Sequence, residues 1–575
     1  GSLCRFDGIR LTVGPESAGA DPGPLCYALH EGRVASRSGE LTVTDINLAL
    51  GRVAPDRFPF ELDRAPVDRA LDELVGALAE TGFKRSREEV AAGFFEIANA
   101  SMAQAIVEIS VERGADPRDH VLIGFGGAAG QHVCAIADQL GIREILLHPH
   151  AGLLSAYGIG IARASWDGQR DGLGRELISD DTLAASIERD WDELAREGIR
   201  ALGQEGLAPD QLSVERSLDL GYAGTDTALT ISLYLGEAAA QEAQRTNAWR
   251  RAFEELHLER FGYVRKERDV DLKTLRVRVF EPDLGGFASD PIAEPSAPTS
   301  APTILRLDSA WFPGLGRVET PVLRREDPEY GHLLTGPALI VEATGTGVVD
   351  TGFELQGDAE GVFRLTALAR TGGESAVDLA EADPVRLEVL GNRFMSIAEQ
   401  MGAVLRNTSV STNIKERLDY SCAVFDDEGG LVANAPHIPV HLGAMADTVS
   451  QIRARFAPFE DGDVLVTNDP FAGGSHLPDV TVVTPVFLPG AREPGFFVAS
   501  RGHHADLGGK TPGSMPADST TLSEEGVLIE SFHLVRAGVF DEDRIRSILA
   551  SGPYPARRPD DNVADLEAMV AANRA

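Results

Sequence analysis

At 575 residues the chain is long enough for several domains, because single cores rarely grow beyond ~250–300 residues. Hydrophobic content of 43% and charged content of 25% are ordinary for a globular protein, and no run approaches the ~18 apolar residues of a bilayer-spanning helix, which argues against a membrane. The formal charge of −36, without any basic stripe, would repel phosphate backbones and argues against nucleic acid.

Residues 11–50 are rich in Gly and Pro, and residues 14–24 read as an ordered loop that is neither helix nor strand. Apolar recurrence every three or four residues predicts helices over 65–81 and 86–114. A buried strand over 121–125, a helix over 130–140 and a second strand over 144–147 make a βαβ unit. Helix follows over 179–203, alternating strands over 213–234, helix over 238–261 and a strand over 275–280. Residues 282–302, dominated by Pro, Ala, Ser and Gly, mark a boundary, and 304–368 read as a small β domain. After a second linker over 372–383, a helix over 384–405 leads into a β-rich stretch that carries most of the remaining histidines. The expected organisation is α/β and multidomain, with segments 1–285, 286–370 and 371–575.

Cys4, Cys26, Cys134 and Cys422 stand far apart with no paired spacing, which favours neither a disulfide framework nor a thiolate zinc site and suits a reducing cytoplasm. No start methionine or targeting segment is present, and the chain closes on an uncapped helical stretch, so it is expected to continue at both ends.

Two regions carry chemistry. Gly124-Phe-Gly-Gly-Ala-Ala-Gly130 lies between a strand and a helix, where glycines let a ligand approach the backbone, so Gly126, Gly127, Ala128 and Gly130 are candidate nucleotide-binding positions. A dinucleotide fingerprint would need an acidic residue after the next strand, and His148-Pro-His150 stands there instead. Tight glycine packing without a ligand is the competing reading.

The second region is His476-Leu-Pro-Asp479 followed by Arg501-Gly-His503-His504-Ala-Asp506. β-branched and apolar residues over 481–487 and 495–500, separated by a Pro/Gly turn, predict a hairpin that brings both motifs to one end. Pairing Val480 with Arg501 sets Asp479 opposite Gly502 and Pro478 opposite His503, with Cβ atoms of opposed residues roughly 4.5–5.5 Å apart. His476, His503 and Asp479 then form a mixed nitrogen and oxygen set suited to Zn, Mn or Fe, with His504 as a substitute if the register slips and Asp506 as a supporting carboxylate. A strand-end hydrogen-bond network without metal is the plainer alternative. A Walker reading of Asp506-Leu-Gly-Gly-Lys-Thr511 fails because His504 occupies its first glycine position. His437 and His441, near Asn468-Asp469, are further candidates to line a pocket, and Lys415 stands in a dense polar stretch over 412–419 that a solvated face would equally explain.

Ordered motifs along the whole chain resemble the hydantoinase/oxoprolinase family. They are VGPESAGADPGPLCY, LTVTDINLALGR, GFGGAAGQH and TGPALIVEATGTGVV in the first part. In the second they are NTSVSTNIKERLDYSCAVFD, LVANAPHIPVHLGAM, NDPFAGGSHLPDVTVVTPVF and RGHHADLGGKTPGS. Residues 1 to about 370 are similar to the C-terminal portion of the family's A-type component, and those from about 384 to the N-terminal portion of its B-type component. The resemblance implies an actin-like ATPase fold for the A-type portion, with GFGGAAG as the adenosine-side loop, and a metal at His476, Asp479 and His503 of an α+β B-type portion.

It further implies ATP with Mg as cofactor and a small lactam or hydantoin as substrate, with ATP-driven opening of 5-oxo-L-proline to L-glutamate favoured because both components share one chain. Asp506, His504, His441 and Lys415 become candidate catalytic residues, and a homo-oligomer is expected. N-methylhydantoin opening and ketone carboxylation are the alternatives within the family; a non-catalytic assembly segment is the alternative of another class. The family's Asp-x-Gly-Gly-Thr phosphate loop is absent from these residues, so the segment alone is expected not to hydrolyse ATP.

Overall fold

The computed structural model describes residues 1–27, 39–112, 117–177, 181–225, 228–232, 246–261, 263–266, 268–282, 303–326, 332–358, 361–368, 384–435 and 438–574. Spatial contacts divide the chain into two compact units: residues 1–111, 115–162 and 288–393, and residues 112–114, 163–287 and 394–575. These units do not follow the linear segments 1–285, 286–370 and 371–575. The expected linkers at 282–302 and 372–383 fall, residue 282 apart, outside the described residues.

Strand pairing explains the difference. In the first unit Leu122–Gly124 and Glu144–Leu147 run parallel around helix Val133–Leu140, the expected βαβ unit. Phe363–Ala367 then pairs antiparallel with Glu144–Leu147, followed outward by Phe353–Gly357 and Leu333–Thr335. The β-rich stretch after residue 304 therefore completes a sheet begun far upstream instead of standing as its own domain. Its other strands form a four-stranded sheet that includes Ala338–Val341 and Thr346–Val349.

The reading of 14–24 as a loop is corrected at its start. Leu11–Ser17 is a strand paired antiparallel with Ser2–Phe6, and the register breaks between Ser2 and Cys4, which accommodates Gly14 and Pro15. Helices Ala65–Glu80 and Arg87–Glu112 form as expected. By length and composition residues 87–110 would suffice to cross a bilayer, contrary to the sequence-based expectation. Val90, Phe94, Phe95 and Ile97 of that helix are instead buried with Leu71 and Leu78 in one core.

The second unit contains an antiparallel four-stranded sheet, whose helices Asp181–Gln204 and Thr246–Phe261 meet through Trp191 and Trp249 at 5.7 Å between rings. It also contains a seven-stranded sheet in the order Leu431–Asn434, Tyr420–Asp426, Phe496–His503, Asp479–Val486, Val464–Thr467, Phe532–Arg536 and Val539–Phe540. The sheet is covered on both faces, so its central strands read as nearly continuous apolar runs. Even-numbered Cys422, Val424, Val480, Val482 and Val498 face one core with Leu566 and Met569 of helix Pro559–Arg574. Odd-numbered Ala423, Phe425, Val483, Phe497 and Ala499 face the other, with Met445, Val449 and Ile452 of helix Pro439–Phe456. The protein is thus mixed α/β and multidomain.

Candidate functional site

The two-residue period of a strand decides which side chains meet at the end of this sheet. Asp479 lies opposite His503, Val480 opposite Gly502 and Thr481 opposite Arg501. The register differs by one residue from the expected pairing of Val480 with Arg501. Asp479 therefore enters through the ladder, on the same face as His503. Both side chains point toward the N-terminus of helix Pro439–Phe456, which carries His441.

Five side chains converge there. Asp479 Oδ2 lies 2.8 Å from His476 Nδ1 and Oδ1 lies 3.1 Å from His503 Nδ1. His441 Nε2 stands 3.5 Å from both Asp479 Oδ2 and Asp419 Oδ1, and Asp419 Oδ2 is 3.6 Å from His503 Nδ1. One ligand atom from each of His476, Asp479 and His503 falls within 4.8 Å of the others, as a shared cation requires. His441 and Asp479 are each only 2% exposed, whereas His476 keeps 37% of its side chain open, so a small molecule would reach the cluster past His476.

Electrostatics follow the burial. Desolvation pushes the Asp479 carboxyl up, but hydrogen bonds from His441, His476 and His503 more than reverse this and hold it well below the usual carboxylate range. The same bond to Asp479 raises His476. Asp479 is therefore an anionic, acceptor-rich centre aimed at three imidazoles.

Asp419 is the member that sequence reasoning passed over. It closes the polar stretch 412–419, of which Lys415 was the candidate, while Lys415 Nζ donates to the Gly224 carbonyl at 3.0 Å. The signal was parity: Asp419 is two residues before Ser421, whose hydroxyl meets His441 Nδ1 at 3.3 Å, and it lies on the same face.

His504 and Asp506 point elsewhere. His504 alternates to the opposite face, where Asn562 Nδ2 lies 3.1 Å from its Nδ1, and burial lowers its pKa to about 3. Asp506 accepts from the backbone N–H of Gly508 and Gly513 and from Arg557, which organises the glycine loop that follows it. Asn468 is buried and holds Leu477 O, Val527 O and Ile529 N, bracing the segment around His476. His437 lies outside the described residues.

The glycine loop of the first unit lines a cavity of about 1130 Å³ together with Asn47, His132, Gly152 and residues 343–346. Gly126 has a left-handed φ of 95° and its N–H donates to the Ala151 carbonyl. The loop packs tightly on the opposite wall: a Cβ on Gly130 would lie 3.0 Å from Thr346 O, and one on Gly345 2.9 Å from Gly127 O. His132, buried and lowered to about 3 by desolvation, is neutral and bridges Asn99 at 2.7 Å and Asn47 at 2.9 Å. Tight packing and a ligand-sized cavity coexist at this loop.

The family models align with both regions. Residues 1–167 match the Hydantoinase/oxoprolinase model and residues 383–575 the Hydantoinase B/oxoprolinase model. The chain belongs to the hydantoinase/oxoprolinase family. It is 40% identical to 5-oxoprolinase 1 of Arabidopsis thaliana and 37% identical to 5-oxoprolinase of Dictyostelium discoideum, in each case over 100% of this chain and 45% and 44% of the relative. The chain thus spans less than half the length of these relatives. Among solved structures, an ATP-dependent caprolactamase from Pseudomonas jessenii matches with a TM-score of 0.53 and 29% identity, covering 64% of this chain and 52% of that one.

Proposed function

We propose that this chain is part of an ATP-dependent enzyme that opens a small cyclic amide, with 5-oxo-L-proline as the first candidate and L-glutamate, ADP and phosphate as products. The observation that carries this reading is the convergence of His476, Asp479 and His503, flanked by Asp419 and His441, in a family whose named relatives act on lactams. The first part would be an actin-like ATPase portion that holds ATP with Mg, its adenosine side in the cavity beside Gly126, Gly127, Ala128 and Gly130. A reducing cytoplasm suits the four buried cysteines, which form no disulfide among the described residues.

An unstrained lactam is a poor electrophile because its nitrogen donates into the carbonyl. In the proposed sequence the amide oxygen attacks the γ-phosphorus of ATP and ADP departs. Water then adds to the activated carbon, the C–N bond breaks with the nitrogen taking a proton, and the ring opens to an acyl phosphate. A second water releases phosphate and leaves a carboxylate, which balances the reaction. Phosphoryl transfer is mostly positioning and charge neutralisation, so Mg is expected with the nucleotide.

The donor set fits a divalent transition metal: two imidazoles and one carboxylate, with Asp419 as a further oxygen donor within reach. Such an ion would act as a Lewis acid on the carbonyl or lower the pKa of water. The chain's own part is to hold Asp479 ionised, to turn His476 and His503 toward it, and to keep His441 beside both carboxylates, where it can carry a proton. His476 forms the open side of the cluster, where substrate would enter.

The test is a substrate panel on the full-length protein, with phosphate release and metal content measured together. ATP-dependent glutamate formation from 5-oxoproline supports the reading. Acetoacetate formation from acetone would move the protein to the carboxylases, and a metal content near zero that is indifferent to His476→Ala would favour an assembly role.

A further inference from the structure

Arg501 is fully buried, and among the described residues its acceptors include no carboxylate. All five of its N–H donors are used. Nε donates to Thr481 Oγ1 at 2.7 Å; Nη1 to His441 O at 3.3 Å and Ser475 Oγ at 3.2 Å; Nη2 to Thr448 Oγ1 at 2.8 Å and Gly473 O at 3.1 Å.

Each partner belongs to an element that supplies the histidine and aspartate cluster. Thr481 is two residues after Asp479 on the same strand face, Ser475 adjoins His476, Gly473 lies three residues before it, and His441 is itself a member. Arg501 in turn is two residues before His503 and shares its face. One guanidinium therefore ties together the strand of Asp479, the strand of His503, the loop of His476 and the helix of His441.

Stability does not explain this choice. A hydrophobic side chain of similar volume in such a buried site is often as stable as a buried charge or more so. The geometry of the guanidinium does explain it: a planar fork with five fixed donors can hold five acceptors in one arrangement, and a lysine ammonium can serve at most three.

We infer that Arg501 is the positioning residue of the cluster, a buried clamp that sets the spacing of His441, His476, Asp479 and His503 for a cation. The inference rests on the metal-site reading given above. The segment 473–476 depends on the clamp most, because His476 is the most exposed of the three ligand candidates and sits on a loop, not in the ladder.

The experiment measures Zn²⁺ affinity by competition with a chromophoric chelator, and the absorption spectrum of the Co²⁺-loaded protein, in full-length wild type and variants. Arg501→Lys is expected to bind Zn²⁺ roughly 10- to 100-fold more weakly, the range for loss of a group that orients metal ligands. The Co²⁺ spectrum should change with it. Ser475→Ala combined with Thr481→Val removes two of the five acceptors and leaves the arginine in place. This pair should weaken binding by a smaller factor while the circular dichroism spectrum stays that of the folded wild type, and it decides the question if Arg501→Lys does not fold. Zn²⁺ affinity within twofold of wild type in the folded variants, with an unaltered Co²⁺ spectrum, overturns the clamp while leaving the metal site intact. Wild type that binds neither ion, with no change on His476→Ala, overturns both readings.

Discussion

Asp479 sits directly across the ladder from His503 and divides its two oxygens between imidazoles, Oδ1 at 3.1 Å from His503 and Oδ2 at 2.8 Å from His476. A carboxylate shared in this way cannot be replaced by an amide, which offers one acceptor and places a donor against the other ring. On the proposed metal reading, Asp479→Asn is therefore expected to reduce bound transition metal from near one equivalent to below ~0.1 in the purified protein, because a ligand set is lost as a unit. Lys415→Ala should leave the metal content unchanged. Elemental analysis of both variants checks the pair.

Asp506 makes the contrasting case. Its carboxylate accepts from Gly508 N at 2.9 Å, Gly513 N at 3.1 Å and Arg557 Nη1 at 2.8 Å. Burial raises its pKa and these bonds lower it further, so the net shift is downward. A carboxyl with a depressed folded pKa adds stability above its unfolded pKa and loses it as pH falls through the folded value. Asp506→Ala should cost about 1–3 kcal/mol near neutrality, with the deficit shrinking in acid and metal content unchanged. Denaturant titrations across pH test this, and a loss of metal would return Asp506 to the catalytic cluster.

How much of this was legible follows from the same residues. Ligand types and a hairpin with one open end pointed to His476, Asp479 and His503, because metal donors are few and adjacent strands must pair. The register was not legible. Asp479–Val486 and Phe496–His503 are buried on both faces, so no polar alternation distinguishes one pairing from its neighbour, and the loop between them is too long to impose one. Asp419 was hidden because its polar neighbours resemble a solvated surface, and its role depends on a strand pairing with distant sequence. Long-range pairing likewise hid the sheet that joins Phe363–Ala367 to Glu144–Leu147.

In the first unit, Gly345 faces Gly127 across the cavity wall, and a Cβ there would approach the Gly127 carbonyl to 2.9 Å, closer than such contacts allow. Gly345→Val must push the glycine loop away from residues 343–346. On the nucleotide reading, ATP affinity should fall at least ~10-fold, about 1.4 kcal/mol, in titration calorimetry of the full-length protein. Unchanged affinity would place the nucleotide elsewhere.

Arg52 and Asp350 form a buried bidentate pair at 2.8 and 3.0 Å, and Arg52 also donates to Gln131 O and Trp311 O while stacking on Phe95. Removing the carboxylate leaves an uncompensated guanidinium in the core. Asp350→Ala is expected to cost about 3–5 kcal/mol, measured by chemical denaturation. The change should also loosen the segment around Gln131 and His132, visible as faster amide exchange there.

Asp565 gives a pH signature of opposite sign to that of Asp506. Burial lifts its carboxyl to about 6 from an ordinary 3.8, although the N–H groups of Val410 and Ser411 donate to it and Arg265 lies nearby. Since its folded pKa is raised, the unfolded chain ionises first as pH climbs from about 4. The folded state then bears a growing penalty that levels off above about 6, on the order of 3 kcal/mol for a shift of this size. Asp565→Asn keeps an acceptor for both N–H groups and carries no charge to bury. Its stability relative to wild type should therefore rise between pH 4 and 6 and stay constant at higher pH. A difference that is flat across that window would mean that the Val410 and Ser411 amides stabilise the carboxylate as fully as water does.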